Sequence, residues 1–196
     1  HRIHVASRSG ASLSGASRYC RREHRVPSSL ENPRAFCGTV SELVDTIRAD
    51  IVLPATDAAI IALLPERDGL GEAVLPMGDE RSFRAISDKS QVVRAARDIG
   101  IRVPRQHVLN SGTDEIPSNL EWPLVFKPSR SVDPDRSGGD GHEGTVRHVA
   151  CRAELDTVIA EAAPSTFPAL LQERVTGPGV GVFLFRWGGE TRAVFA

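Results

Sequence analysis

Lysine is almost missing from this chain: of its 24 lysines and arginines, only Lys89 and Lys127 are lysine. A chain that uses arginine for ordinary surface cations keeps a lysine where a compact ammonium on a thin stem suits the chemistry, and phosphate in a crowded pocket is one such place. The plainer account is a biased genome that left two lysines by chance. Cysteine is nearly as scarce. Cys20, Cys37 and Cys151 are odd in number and far apart, which excludes a paired disulfide framework and predicts reduced thiols in a cytoplasmic protein. No apolar run approaches the roughly 20 residues that span a bilayer, and the opening HRIHVAS lacks a signal-peptide pattern. A net charge of -1 with no long basic run argues against nucleic acid or membrane as the main partner and leaves a small molecule.

What is present is an ordinary globular composition, 40% hydrophobic and 25% charged over 196 residues, enough for one large domain or two small ones. Arg2 to Ala6 alternates polar and apolar residues and predicts a strand; the Ser/Gly-rich run after it has no helical period and predicts a loop. His24 to Pro27 predicts another short strand. A helix follows, with Asn32 as N-cap, Pro33 at its first position, and Phe36, Val40, Leu43, Val44 and Ile47 on one face. Asp50 to Pro54 then predicts a buried strand and Ala73 to Leu75 a further one, so that strand, helix and strand make a parallel unit. Between them Thr56 caps a helix over Asp57 to Leu64. Asp57 stands where open parallel sheets bind ligands, although an acidic residue in a first turn has a structural reason of its own.

A second composition begins near Ser87. Ser87 or Asp88 caps a helix whose apolar face is Val92, Val93, Ala96 and Ile99, with Gly100 and Pro104 as stop signals. Lys89 therefore sits in a first turn, where a cation opposes the helix macrodipole; either Asp88 compensates it or an anion is brought there. The stretch PLVFKPSRS, Pro123 to Ser131, predicts a short buried strand that ends on Lys127. A loop with Gly138, Gly139, Gly141 and Gly144 lets backbone approach a ligand but lacks Walker spacing. His142 and His148 flank it without a convergent third ligand, so no metal site is predicted. Beyond a strand over Val146 to Val149 and a helix carrying Leu155, Val158, Ile159 and Ala162, Ala169 to Val175 predicts a strand. Val180 to Trp187 and Glu190 to Phe195 predict a hairpin turning on Gly188 and Gly189.

Lys89 on a capped helix, VFKP at Lys127, the glycine loop, a helix and LLQERVTGPGVGVFLF, taken in this order and spacing, resemble the ATP-grasp superfamily, of the carboxylate-amine/thiol ligase type typified by carbamoyl-phosphate-synthase-like proteins. The resemblance covers most of the chain. It implies a partial parallel-sheet pre-ATP-grasp domain, Rossmann-like, over residues 1–86, a first ATP-grasp lobe over 87–167 and the start of a second over 168–196: an α/β part followed by an α+β part. It also implies that Lys89 and Lys127 contact ATP phosphates, that Gly138 and Gly139 close over them, and that Gln172, Glu173 and Val175 form the hinge that reads adenine, with Gln172 near its amino group and Val175 donating an N–H. Two departures stand out. GPGVG places Pro178 and Gly179 where relatives carry a ribose-binding Glu, and the glycine loop is long and acidic. The family's magnesium ligands are expected beyond residue 196, so the sequence reads as an excerpt truncated at both ends that binds ATP weakly, if at all, and is itself inactive.

The function so implied is the ATP-binding part of a ligase that activates a small-molecule carboxylate as an acyl phosphate, for attack by an amine or thiol, with ATP and Mg2+ as cofactors. A nucleotide-binding module without catalysis is the alternative. A dinucleotide-dependent oxidoreductase, suggested by the parallel start, lacks a GxGxxG that follows a strand and opens a helix.

Overall fold

The computed structural model describes residues 2–132 and 146–196. The first part is built on two parallel strands, β1 (Ile3–Ser7) and β2 (Cys20–Arg25), with His4 opposite Arg22 and Ser7 opposite Arg25. The second strand starts earlier than the His24 to Pro27 expected. Its Glu23 carboxylate fastens the Ser/Gly loop, accepting from Ser7 Oγ at 2.7 Å and Ser12 N at 2.8 Å. Hydrogen bonds from Ser7 and Ser12 hold that carboxyl below the usual range.

Helix α1 (Pro33–Ile47) starts as its cap predicts: Asn32 accepts from Ala35 N, and Pro33 occupies the first turn, where its missing N–H costs nothing. It ends at Arg48 in left-handed geometry, φ 51°. Phe36, Val40 and Val44 pack with Ile60, Ala62 and Leu63 of α2 (Asp57–Leu63) in the first core. Thr56 caps α2 by accepting from Ala59 N.

The buried strand expected over Asp50 to Pro54 is corrected at its apolar residues Ile51, Val52 and Leu53. It makes one isolated parallel bridge, Ile51 with Val74. Val52 packs against the core, while Ile51 and Leu53 alternate outward, 55% and 75% exposed. Three apolar residues in a row cannot show which face is covered, and here only one is.

Helix α3 (Glu80–Ser87), capped by Asp79 and buried at Phe83 alone, leads directly into α4 (Lys89–Asp98). The apolar period of α4 is real, but its burial is not: no α4 residue is buried, and Val92 and Ile99 are 43% and 75% exposed. Strands β3 (Gln106–Leu109), β4 (Leu124–Pro128) and β5 (Arg147–Val149), helix α5 (Arg152–Glu161) and strand β6 (Ala169–Glu173) follow. The four strands form one antiparallel sheet in the order β3-β6-β4-β5.

Alternation along these strands sorts the sheet into two faces. Leu109, Leu124, Phe126, Val149, Ala169 and Leu171 line one face and pack with Leu155 of α5 and with Phe167 in a second core. Phe126 meets Phe167 edge to face at 6.2 Å. The other face carries Gln106, Lys127 and Gln172. Last come β7 (Phe183–Trp187) and β8 (Glu190–Phe195), an exposed antiparallel hairpin. Its turn has the positive φ at Gly188 and Gly189, 59° and 82°, that a two-residue hairpin of this hand requires.

Candidate functional site

Lys127 is the last side chain that β4 presents before Pro128 and the turn Ser129-Arg130-Ser131. Val125 lies opposite Gln172 and Lys127 opposite Leu170, so Lys127 and Gln172 are diagonal neighbours on one face. The Lys127 ammonium donates to Gln172 Oε1 at 2.7 Å. Gln172 Nε2 in turn donates to Gln106 Oε1 at 3.2 Å, across the β3–β6 pair in which the two glutamines stand directly opposite.

The second lysine is brought in through the backbone. Lys89 N donates to Ser129 O at 2.9 Å, while Ser129 N donates to Pro168 O at 2.9 Å. Ser129, 4% exposed, thus joins the α4 start to the sheet end. Lys89 Nζ donates to Ser131 Oγ at 3.2 Å.

Asp88, the α4 cap, is engaged elsewhere. Its Oδ1 accepts from Ser90 N at 2.9 Å and Ser90 Oγ at 2.6 Å. Its Oδ2 accepts from Gln91 Nε2 at 3.2 Å and pairs with Arg130 Nη2 at 3.5 Å. Burial pushes this carboxyl up, but the hydrogen bonds from Ser90 and Gln91 outweigh it and hold it below the usual range.

Both site lysines are half-buried and held by neutral oxygens; among the described residues neither has a carboxylate within 4.0 Å. Burial lowers the affinity of Lys89 for its proton, while the fields of Asp57 and Asp88 pull it back up. Burial also lowers that of Lys127, and the neighbouring Lys89 adds to the effect. Two like charges partly removed from water, each positioned without being neutralised, make a place where an anion relieves repulsion. Phosphate-bearing ligands fit that demand. Asp57, from the first part of the chain, is close enough for its charge to act on Lys89.

Of the residues read from the sequence, Lys89, Lys127 and Gln172 are brought together. Glu173 points the other way along the strand's alternation: its Oε2 accepts from Arg105 N at 3.3 Å, while its own N–H donates to Arg105 O at 2.9 Å. Val175 lies beyond the end of β6 and is 73% exposed. Gly138 and Gly139, with His142, lie outside the described residues, and His148 is exposed on β5. Among the described residues no three His, Cys, Asp or Glu side chains converge on a metal position, and no helix is long and apolar enough to cross a membrane. Sequence reading missed Gln106, Ser129, Arg130 and Ser131. Three of these sit in the turn straight after Lys127, a signal that was there to be used; Gln106 is found only through strand pairing.

No protein-family model and no curated protein matches the sequence. Solved structures do share its fold. An L-amino acid ligase from Bacillus licheniformis superposes with a TM-score of 0.64 at 18% identity, over 90% of this chain and 39% of that one. A D-alanine–D-alanine ligase from Bacillus anthracis, complexed with ATP, gives 0.52 at 15% identity over 79% of this chain and 47% of that one. A Rhizobium etli pyruvate carboxylase gives 0.52 at 14% identity over 88% and 16%. The two ligases are ATP-grasp enzymes, and this chain has part of the ATP-grasp fold: a parallel strand pair, then antiparallel sheets with helices. It spans well under half the length of the first ligase and just under half that of the second.

Proposed function

We propose that the chain is the nucleotide-binding part of an ATP-dependent ligase, with Lys89 and Lys127 receiving the ATP phosphates. One observation carries this reading: two half-buried ammonium groups, each held by an uncharged oxygen, lie within reach of one another's charge, in a fold shared with ATP-grasp ligases. The ATP held by the D-alanine–D-alanine ligase supports the choice of nucleotide. Arg130, three residues after Lys127, pairs with Asp88 at the helix cap.

In the reaction proposed, a substrate carboxylate oxygen attacks the γ-phosphorus, the bond to the β-phosphate oxygen breaks, and ADP leaves. The amine or thiol then attacks the acyl carbon of that acyl phosphate, the bond from this carbon to the phosphate oxygen breaks, and inorganic phosphate leaves. Lys89, Lys127 and their neighbours bind and orient the triphosphate and offset its charge, the largest part of catalysis in phosphoryl transfer. The backbone at the end of β6, over Gln172, Glu173 and Val175, would meet the base, with the Val175 N–H as donor. Magnesium accompanies such phosphates, but the described residues offer no cage for it, so no role of this chain is assigned to metal binding.

Calorimetric titration of the 196-residue chain with ATP, and with GTP and NAD as controls, tests the nucleotide reading. Preference for ATP that is lost in Lys127→Ala supports it; preference for NAD overturns it in favour of a dinucleotide enzyme. ATP binding without carboxylate-dependent ADP release, in a protein extended to the length of the neighbouring ligases, would leave a binding module.

A further inference from the structure

We propose that Gln106 is a positioning residue of the nucleotide cleft, whose side-chain carbonyl fixes the end of the Gln172 amide that faces Lys127. This rests on the reading that Lys127 meets phosphate. An ammonium has only donors, so the Gln172 atom 2.7 Å from Lys127 Nζ must be the carbonyl oxygen. That choice turns the Gln172 NH2 toward β3, where it needs an acceptor, and Gln106 Oε1 lies there at 3.2 Å. The charge on Lys127 thereby sets the direction of a row crossing three strands: Lys127 donates to Gln172, which donates to Gln106.

The row holds the ammonium without neutralising it. A carboxylate in place of Gln172 would fix Lys127 more strongly but cancel the charge that a phosphate meets. An amide is a weaker seat, and it is two-ended: reversed, it presents NH2 to an ammonium. Lys127 itself makes the reversed state costly, because reversal sets two donors face to face there; Gln106 supplies the acceptor that anchors the Gln172 amide in the orientation Lys127 requires. Ser131 holds Lys89 by a hydroxyl, which needs no such orientation because it rotates freely to accept.

The test uses the whole chain and two probes, ATP and adenosine. Gln106→Leu removes the acceptor; Gln106→Glu keeps one. Loss of the fixed seat weakens ATP binding in Gln106→Leu by up to about tenfold, the upper end for one hydrogen bond between neutral groups, leaves adenosine unchanged, and Gln106→Glu restores most of it. A second readout is independent of affinity. With only two lysines in the chain, their side-chain nitrogens can be followed by NMR and told apart with Lys127→Arg; in Gln106→Leu the Lys127 titration moves to lower pH while that of Lys89 does not. Equal ATP affinity in parent and Gln106→Leu, with Lys127 unmoved, overturns the inference alone. A parent chain that ignores ATP overturns the proposed function, and this inference with it.

Discussion

The backbone N–H of Lys89 donates to the carbonyl of Ser129 at 2.9 Å, and this one bond places the first turn of α4 against the end of β4. The two lysines of the chain are brought into one another's field by it. A cation in a helix first turn is unfavourable by about 0.3 to 1 kcal/mol, and Asp88 is occupied by capping and by Arg130. The fields of Asp57 and Asp88 offset part of the burial of Lys89, and in the function proposed a ligand anion supplies the rest.

Lys127→Ala separates binding from folding. ATP affinity should drop roughly ten- to a hundredfold, the ~1.5–3 kcal/mol of a hydrogen bond to a charged group. The ligand-free unfolding midpoint should stay level or rise, since a half-buried ammonium beside another is removed. Lys127→Arg should recover only part of the affinity, because a planar fork does not fit the seat of a point charge. Calorimetry and thermal unfolding of the three proteins decide it; unchanged affinity in the alanine variant takes Lys127 out of the site.

The same lysines set a pH dependence of opposite sign for stability and for binding. Burial, with Lys89 as a further cause, holds the folded pKa of Lys127 below its unfolded value. Between those two values the unfolded chain binds more protons, so the contribution of Lys127 to ligand-free stability rises with pH across that alkaline window. Phosphate favours the charged ammonium, so ATP binding takes up protons and its affinity falls as pH climbs through the window. Denaturant melts and titrations compared between parent and Lys127→Ala isolate the effect; an affinity independent of alkaline pH contradicts it.

Asp88→Ala should cost about 0.5 to 2 kcal/mol through loss of the α4 cap, a fall of a few degrees in the unfolding midpoint for a chain of this size. Asp88→Asn keeps an acceptor for Ser90 N and Gln91 N and should restore most of it. The folded Asp88 pKa lies below its ordinary value, so its contribution is present at neutral pH and is lost as pH falls through the acid range. An alanine variant as stable as the parent at neutral pH would show that the cap contributes nothing.

What could be read from the sequence was what local chemistry decides. Asn32 before Pro33 marked the start of α1, Gly188-Gly189 marked the hairpin turn, and the scarcity of lysine singled out as candidates Lys89 and Lys127, which the fold sets within reach of one another's charge. Pairing between distant strands was out of reach. Gln106 stands opposite Gln172 only because β3 and β6 are antiparallel neighbours, and no spacing in the chain encodes that. Burial failed for a similar reason: Ile51 and Leu53 look like core residues until the single bridge to Val74 shows how little surrounds them. Helix α3 was missed because Phe83 is its only buried residue, too little for a period to show.

The cysteines should contribute nothing as cross-links. Cys20, Cys37 and Cys151 are all free thiols, and Cys37 Sγ donates to Ala62 O at 3.2 Å. Burial, with Glu66 as a further cause, pushes the Cys37 thiol up, which makes it a poor nucleophile near neutral pH. Reductant should leave the unfolding midpoint unchanged, and a thiol reagent should label Cys151, which is exposed, well before Cys37. A large drop on reduction would overturn both expectations.

Phe126 and Lys127 are consecutive on β4 and face opposite sides of the sheet, so they should fail in opposite ways. Phe126 is 2% exposed and meets Phe167 edge to face at 6.2 Å, so Phe126→Ala removes buried area and leaves a cavity worth roughly 3 to 5 kcal/mol. Lys127→Ala touches none of that core. Urea unfolding of the two variants under one set of conditions should show a much lower midpoint for Phe126→Ala and little change for Lys127→Ala. Where enough Phe126→Ala remains folded to titrate, its affinity for ATP, corrected for the folded fraction, should be near that of the parent. Comparable destabilisation by both substitutions would mean that the polar face of the sheet is part of the core, and a row of groups packed to hold the fold together would not be open to a nucleotide.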